Sequence, residues 1–367
     1  MSGPVRAVYV SNGRGGTVTP IATATGVPGP PIPIGRTAGS LAITPNGETA
    51  YVTSDDGVVV PIATATAAAG PAIGVGDTPD PIVITPDGKT VYVAVISTNA
   101  VIPIATATNR PGEPIEVGER PRRIVITPDG AAAYVLNQSR PHPPQPSYEA
   151  WQRGEARAPR DRRGTVIAID LAANTPGEPI DVGIDPLAIA ITPDGKTVYV
   201  ANTHTSGRGL GAVTPIDTAG NTAGRPIQVG GRPWAIAITP DSATAYVVNR
   251  TSGTVTPIAT ATNTAGPPIQ VGAEPCAIAI TPDGATAYVC DWKAGTVTPI
   301  ATATNTAGTP IQVGDRARGI LITPDGKTAY VVVWGEPGTV VPIATATNTA
   351  GPPIQVGDRP YAIAILP

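Results

Sequence analysis

The dipeptide Tyr-Val recurs eight times along this chain, at Tyr9, Tyr51, Tyr92, Tyr134, Tyr199, Tyr246, Tyr288 and Tyr330, in steps of 42, 41, 42, 65, 47, 42 and 42 residues. A period of about 40 to 50 residues marks a repeat in which each unit is one small sheet, unstable until its neighbours stack on it. That restricts the chain to a propeller. A length of 367 residues would otherwise suggest two or three domains, but a repeat array grows by adding units and remains one domain.

Each repeat carries four short apolar runs, here A to D. Around Tyr288 they are Cys276–Ile280, Ala287–Cys290, Thr296–Ile300 and Pro310–Val313. They are rich in Val, Ile, Thr and Tyr, are bounded by Gly, Pro, Asn and Asp, and sustain no 3.6-residue period, so they read as strands. Runs A and B are joined by Thr-Pro-Asp-Gly in five repeats, by Thr44–Gly47 with Asn at its third position in another, and by Thr239–Ser242 in a seventh. Pro pre-sets φ at the second turn position and Gly accepts the positive φ that ends the turn.

The count of runs locates the ring closure. No A run precedes Tyr9, and a surplus A run, Tyr361–Ile365, ends the chain. The C-terminal run is therefore expected to complete, as innermost strand, a blade whose other three strands come from the N-terminus, pairing with Val5–Val10 and leaving no open edge. The expectation is an all-β, eight-bladed β-propeller of four-stranded antiparallel blades, one domain over residues 1–367. A single insertion spans 138–163.

Phe is absent and aromatics make up 4 % of the chain, so the core between blades must be built from Ile, Val, Ala and the eight repeat tyrosines. The 42 Gly and 44 Pro recur at fixed points of the repeat and mark turns rather than disorder. Proline inside the C runs, as at Pro20, Pro257 and Pro299, predicts a strand end, a bulge or an unpaired position there. A net charge of −3 with 14 % charged residues gives no electrostatic basis for binding nucleic acid or an anionic membrane. No run of 18 apolar residues exists and Met1–Val5 has no leader character, which predicts a cytoplasmic protein. Cys276 and Cys290 each lie seven residues from the turn at Asp283. A regular ladder would set them face to face, and two reduced thiols are expected.

Four B runs read Tyr-Val-x-Asn (Tyr9–Asn12, Tyr134–Asn137, Tyr199–Asn202, Tyr246–Asn249), follow the Thr-Pro-Asp-Gly turns, and precede Gly-Thr-Val and a D run ending in Val-Gly. This pattern resembles the YVTN family of β-propeller repeat proteins, over nearly the whole chain. The family includes surface-layer and periplasmic proteins and is related to lactonase-like propellers. The resemblance implies four-stranded blades around a channel and no single activity. Many relatives have seven blades and an export signal, and this chain differs in both respects.

Because consecutive antiparallel strands reverse direction, the D–A and B–C connections share one face of a propeller and the A–B and C–D turns share the other. The second face is uniform, with Asn-Thr-Ala-Gly repeated at 263–266, 305–308 and 348–351. The first holds all four Trp (Trp151, Trp234, Trp292, Trp334), both His (His142, His204) and both Cys. Two explanations stand, drift in exposed loops or a site built on that face.

The first residues of the A runs form a ring at the channel mouth: Gly39, Asp80, Arg122, Leu187, Trp234, Cys276, Arg318 and Tyr361. In an eight-bladed ring Arg122 faces Arg318 and Asp80 faces Cys276. Two guanidiniums between the flat walls of Trp234 and Tyr361 suit a carboxylate or phosphate on an organic ligand, unless each pairs with a local acid, Glu119 or Asp315. The candidate ligand-binding residues are Asp80, Arg122, Trp234, Cys276, Trp292, Arg318, Trp334 and Tyr361. The insertion at 138–163 suggests a lid over the mouth or a disordered segment.

The chain has no Gly-x-Ser-x-Gly elbow, Walker loop, Cys-x-x-Cys or His-x-x-x-His, and no cofactor is predicted. Gly207–Gly211 is glycine-rich but precedes no helix. Asp55, Asp56, Asp80, His204 and Asp291 are candidate metal ligands, yet a metal needs three or four that converge, and none is predicted. The expected function is a non-catalytic binding scaffold that presents its variable face and channel mouth to a small anionic molecule or a protein partner. The alternative is a hydrolase, lyase or biosynthetic enzyme using His204, Asp291 and Asp80 at the mouth.

Overall fold

The structure, a computed structural model, describes residues 7–138, 163–204 and 209–366. These residues form strands and turns only, arranged as eight blades numbered here by their repeat tyrosines from Tyr9 to Tyr330. Blade 7 is typical. Its A strand Pro275–Ile280 pairs with B, Thr286–Asp291, which pairs with C, Thr296–Ala301, and C carries a D strand split into Thr306–Ala307 and Ile311–Gln312. Blades 4 and 5 are joined by one strand, Ile180–Ile191, that serves as D of the first and A of the second. In blade 1 the strand Pro360–Ile365 pairs with Ala7–Asn12 through Val8↔Ile365, Tyr9↔Ala364 and Val10↔Ile363. Ring closure by the C-terminal strand is therefore as the repeat count predicts, while Val5 lies outside the described residues.

The proline in the C strands has a simple resolution. Pro299 sits in mid-strand opposite Tyr288, and its carbonyl accepts the Gly308 N–H at 2.7 Å on the D side. A residue's N and O point to the same side of a strand, so the missing N–H falls where D is interrupted and no ladder bond is lost. The same glycine contact recurs at Pro20, Pro61, Pro103, Pro215, Pro257 and Pro342.

Blades are joined by apolar packing and by one repeated hydrogen bond. Tyr246 and Val248 of blade 6 pack with Ala287, Val289 and Ile300 of blade 7 in one buried cluster. The buried Tyr246 ring sends its hydroxyl to Asn305 Oδ1 at 2.7 Å in the C–D turn of blade 7. Tyr51, Tyr92, Tyr134, Tyr199 and Tyr288 reach Asn109, Asn174, Asn221, Asn263 and Asn348 in the same way at 2.6–2.7 Å. Each of these Asn has φ between 49° and 53°. Asn is the non-glycine residue that best tolerates such a φ while offering an acceptor. Uniformity of this face thus has a structural cause.

One expectation fails. Seven A strands carry a bulge near their start. In blade 7 Pro275 pairs with Asp291 and Ala277 with Cys290, so Cys276 is the extra residue and does not face Cys290. A bulge inserts one residue and reverses the side on which the following ones lie. Both cysteines are free and buried. The insertion at 138–163, apart from Gln138 and Arg163, lies outside the described residues, with His142, Trp151 and the expected lid; so do Gly207 and the His204 side chain.

Candidate functional site

The bulge decides what the channel mouth displays. In each of these seven strands the extra residue belongs to the first ring, and the residue after it belongs to a second ring beneath. That second ring consists of Pro81, Arg123, Ala188, Ala235, Ala277, Gly319 and Ala362, with Ser40 at the corresponding place in blade 2. Seven are small or cyclic and one is Arg123. A cavity of about 590 Å³ opens onto this ring, lined by Arg123, Trp234, Cys276, Trp292, Arg318 and Tyr361 among others. A second cavity of about 410 Å³ lies beside it, lined by Asp55, Asp80, Arg318, Trp334, Arg359 and Tyr361 among others. Arg318 and Tyr361 form the wall that the two share.

Of the eight residues selected from the sequence, all but Arg122 line one of these cavities. Arg122 is half-buried and Arg123 exposed; Arg123, on the blade opposite Arg318, takes the position expected of its neighbour. Sequence reasoning missed it by continuing a period of two through the bulge. Among the described residues neither Arg123 nor Arg318 forms an ion pair. Asp315 does not hold Arg318, whose guanidinium lies 4.7 Å from the centroid of the Tyr361 ring. Arg250, also missed, lines the larger cavity but is paired with Glu274 at 3.0 Å.

The tryptophans are not bare walls. Trp234 lies under Arg232 and Arg250 at 5.1 and 4.8 Å, and Trp334 under Arg316 and Arg359 at 4.9 and 5.4 Å. Trp292 meets Trp334 with ring centroids 6.2 Å apart. These half-buried rings hold guanidiniums in place by cation–π attraction, worth about 0.5–1 kcal/mol each at exposed sites.

Asp80 accepts hydrogen bonds from the Ser40 hydroxyl and, at 3.0 Å, from the Tyr361 hydroxyl. Burial, and then the Asp80 carboxylate, push the Tyr361 phenol up. Burial pushes the Cys276 thiol up to about 12, so at neutral pH it is a donor, directed to Ala317 O at 3.1 Å, and not a nucleophile. Asp291 is fully buried; Oδ1 accepts the Lys293 and Ala294 N–H groups at 2.9 and 2.7 Å, and Oδ2 accepts the Glu274 N–H at 2.8 Å. It occupies the place that Asn12, Asn137, Asn202 and Asn249 hold in other blades, tying the two mouth-side loops together. Among the described residues no three of His, Cys, Asp and Glu converge as a metal site would require.

No sequence family matches this chain, and no curated protein matches it. Solved structures do. Dihydro-heme d1 dehydrogenase NirN, in complex with DHE, superposes with a TM-score of 0.78 at 15 % identity over 99 % of this chain and 76 % of its own. AztD from Citrobacter koseri gives 0.67 at 12 % identity over 98 % and 97 %, and Kuenenia stuttgartiensis hydrazine synthase 0.63 at 19 % over 84 % and 96 %. Identities this low speak for the fold alone, and they place the chain among the β-propellers.

Proposed function

We propose that this chain is a non-catalytic β-propeller binding scaffold of YVTN type, cytoplasmic, whose channel mouth holds a small organic anion. One observation carries the reading: Arg123 and Arg318, from opposite blades, line a single cavity and neither has an acidic partner among the described residues. Two like-charged guanidiniums facing one cavity favour an anion between them, and a ligand carboxylate or phosphate would engage both through charge-assisted hydrogen bonds. The cavity's remaining wall, Trp234, Trp292, Ala235 and Ile236, suits an apolar body on that ligand. The complex of NirN with DHE supports this use of the fold by analogy. Of the residues an enzyme could use in the larger cavity or its wall, Asp291 is committed to backbone amides, Asp80 to two hydroxyls, and Cys276 stays protonated.

Calorimetric titration with citrate tests the reading. Arg123→Leu or Arg318→Leu should each weaken binding by about 1.5–3 kcal/mol, roughly ten- to a hundredfold, as expected for loss of a hydrogen bond to a charged group. Equal affinity in the wild type and both variants would refute it.

A further inference from the structure

The smaller cavity has a charge pattern of its own. Its lining includes Arg14, Arg318, Arg359, Asp55 and Asp80, with Trp334, Tyr361, Pro79 and Ala38 as its apolar part. Arg14 and Arg359 both bind Glu336, Arg14 at 3.0 Å, and that carboxylate lies outside the lining. Asp80 is occupied by the Ser40 and Tyr361 hydroxyls. Three arginines against Asp55, Asp80 and Glu336 leave no net charge.

Two charged side chains remain with neither an ion pair nor a hydrogen bond among the described residues, and they have opposite signs. Asp55, exposed at the rim of the cavity, is anchored through its backbone, its N–H donating to Thr37 Oγ1 at 3.0 Å, while its carboxylate makes no hydrogen bond or ion pair there and is open to a ligand. Arg318 is held only against the Tyr361 ring. A ligand carrying a single charge would satisfy one of the two and leave the other without a partner. A ligand carrying both satisfies both.

We propose that this cavity is a binding site for a zwitterionic small molecule of the α-amino acid class, its ammonium on Asp55, its carboxylate on Arg318 and an apolar side chain against Trp334 and Tyr361. A volume of about 410 Å³ accommodates an amino acid with a large side chain, within the usual range of small-molecule pockets. The carboxylate partner is shared with the larger cavity but the ammonium partner is not, so Asp55 belongs to this site and Arg123 to the other.

The test is calorimetric titration of the purified protein with L-phenylalanine, L-phenylalaninamide and N-acetyl-L-phenylalanine. The amino acid should bind, and the amide and the N-acetyl compound, each lacking one charge, should bind at least about tenfold more weakly, one ion pair being worth roughly that factor. Asp55→Asn should lose about tenfold for the amino acid and nothing for the N-acetyl compound. Arg123→Leu should leave amino-acid binding unchanged whatever it does to citrate, so failure of this proposal and failure of the anion site are distinguishable. No binding of L-phenylalanine, equal binding of the three compounds, or an Asp55→Asn protein of unchanged circular dichroism and unchanged affinity would each overturn the proposal.

Discussion

Deleting Tyr361–Pro367 should leave a chain that no longer melts cooperatively. The strand supplies the inner edge of blade 1, paired along Ala7–Asn12. Ala362 and Ala364 pack on one flanking cluster, which includes the buried Leu366, and Ile363 and Ile365 pack on the other. Fully burying an Ile or Leu side chain contributes about 1.5–3 kcal/mol; Leu366 is buried and Ile363 and Ile365 are half-buried, so together they are a sizeable share of the roughly 5–15 kcal/mol that stabilises a whole domain. The deletion also leaves the Ala7–Asn12 strand as an unpaired edge, and in a repeat array each unit depends on its neighbours. Thermal unfolding followed by circular dichroism decides the matter: a truncated chain that melts in the same transition as the full one would mean that the ring is not closed this way.

The second large effect is alkaline unfolding. Burial pushes all eight repeat tyrosines up, Tyr134 and Tyr199 to about 12, with nearby aspartates adding to the shift in most of them. The folded chain therefore keeps phenolic protons that the unfolded chain releases near pH 10. The stability this contributes is fully present below pH 10 and is lost as pH rises from 10 to 12, as linkage requires for a raised pKa. For Tyr134 and Tyr199 this amounts to roughly 2–3 kcal/mol each, and the other six act in the same direction. Tyrosine ionisation followed by absorbance near 295 nm should be cooperative and should coincide with loss of the circular dichroism signal. Ionisation of these eight groups near pH 10 in a still-folded protein would contradict the account.

What the sequence made legible was whatever depends on period. Tyr-Val spacing counts the blades, the missing first A run and the surplus last one locate the closure, and the recurrent Asn-Thr-Ala-Gly marks turns that the structure uses to staple one blade to the next. The site was legible only to within a residue. Arg122 and Arg123 are adjacent, and which of them reaches the cavity depends on a bulge that a two-residue pattern does not register. A signal was present nonetheless. At the second position of each A run the chain carries Ala, Gly, Ser or Pro in seven repeats and Arg in one, and that lone large side chain is the one that lines the cavity. The sequence presents Trp234 as a flat wall because its covering arginines, Arg232 and Arg250, come from separate loops. Asp291 looks like a candidate catalytic residue in the sequence because its amide partners are contributed by two different connections.

The claim that Arg123 and Arg318 together hold an anion is tested most directly by crystals of this protein soaked in citrate. The account predicts density for the anion in the larger cavity, with carboxylate oxygens within hydrogen-bond distance of both guanidiniums, about 2.7–2.9 Å for charge-assisted bonds, and Arg318 still lying on Tyr361. An empty mouth, with Arg123 and Arg318 each turned to an acid of its own loop, would contradict it.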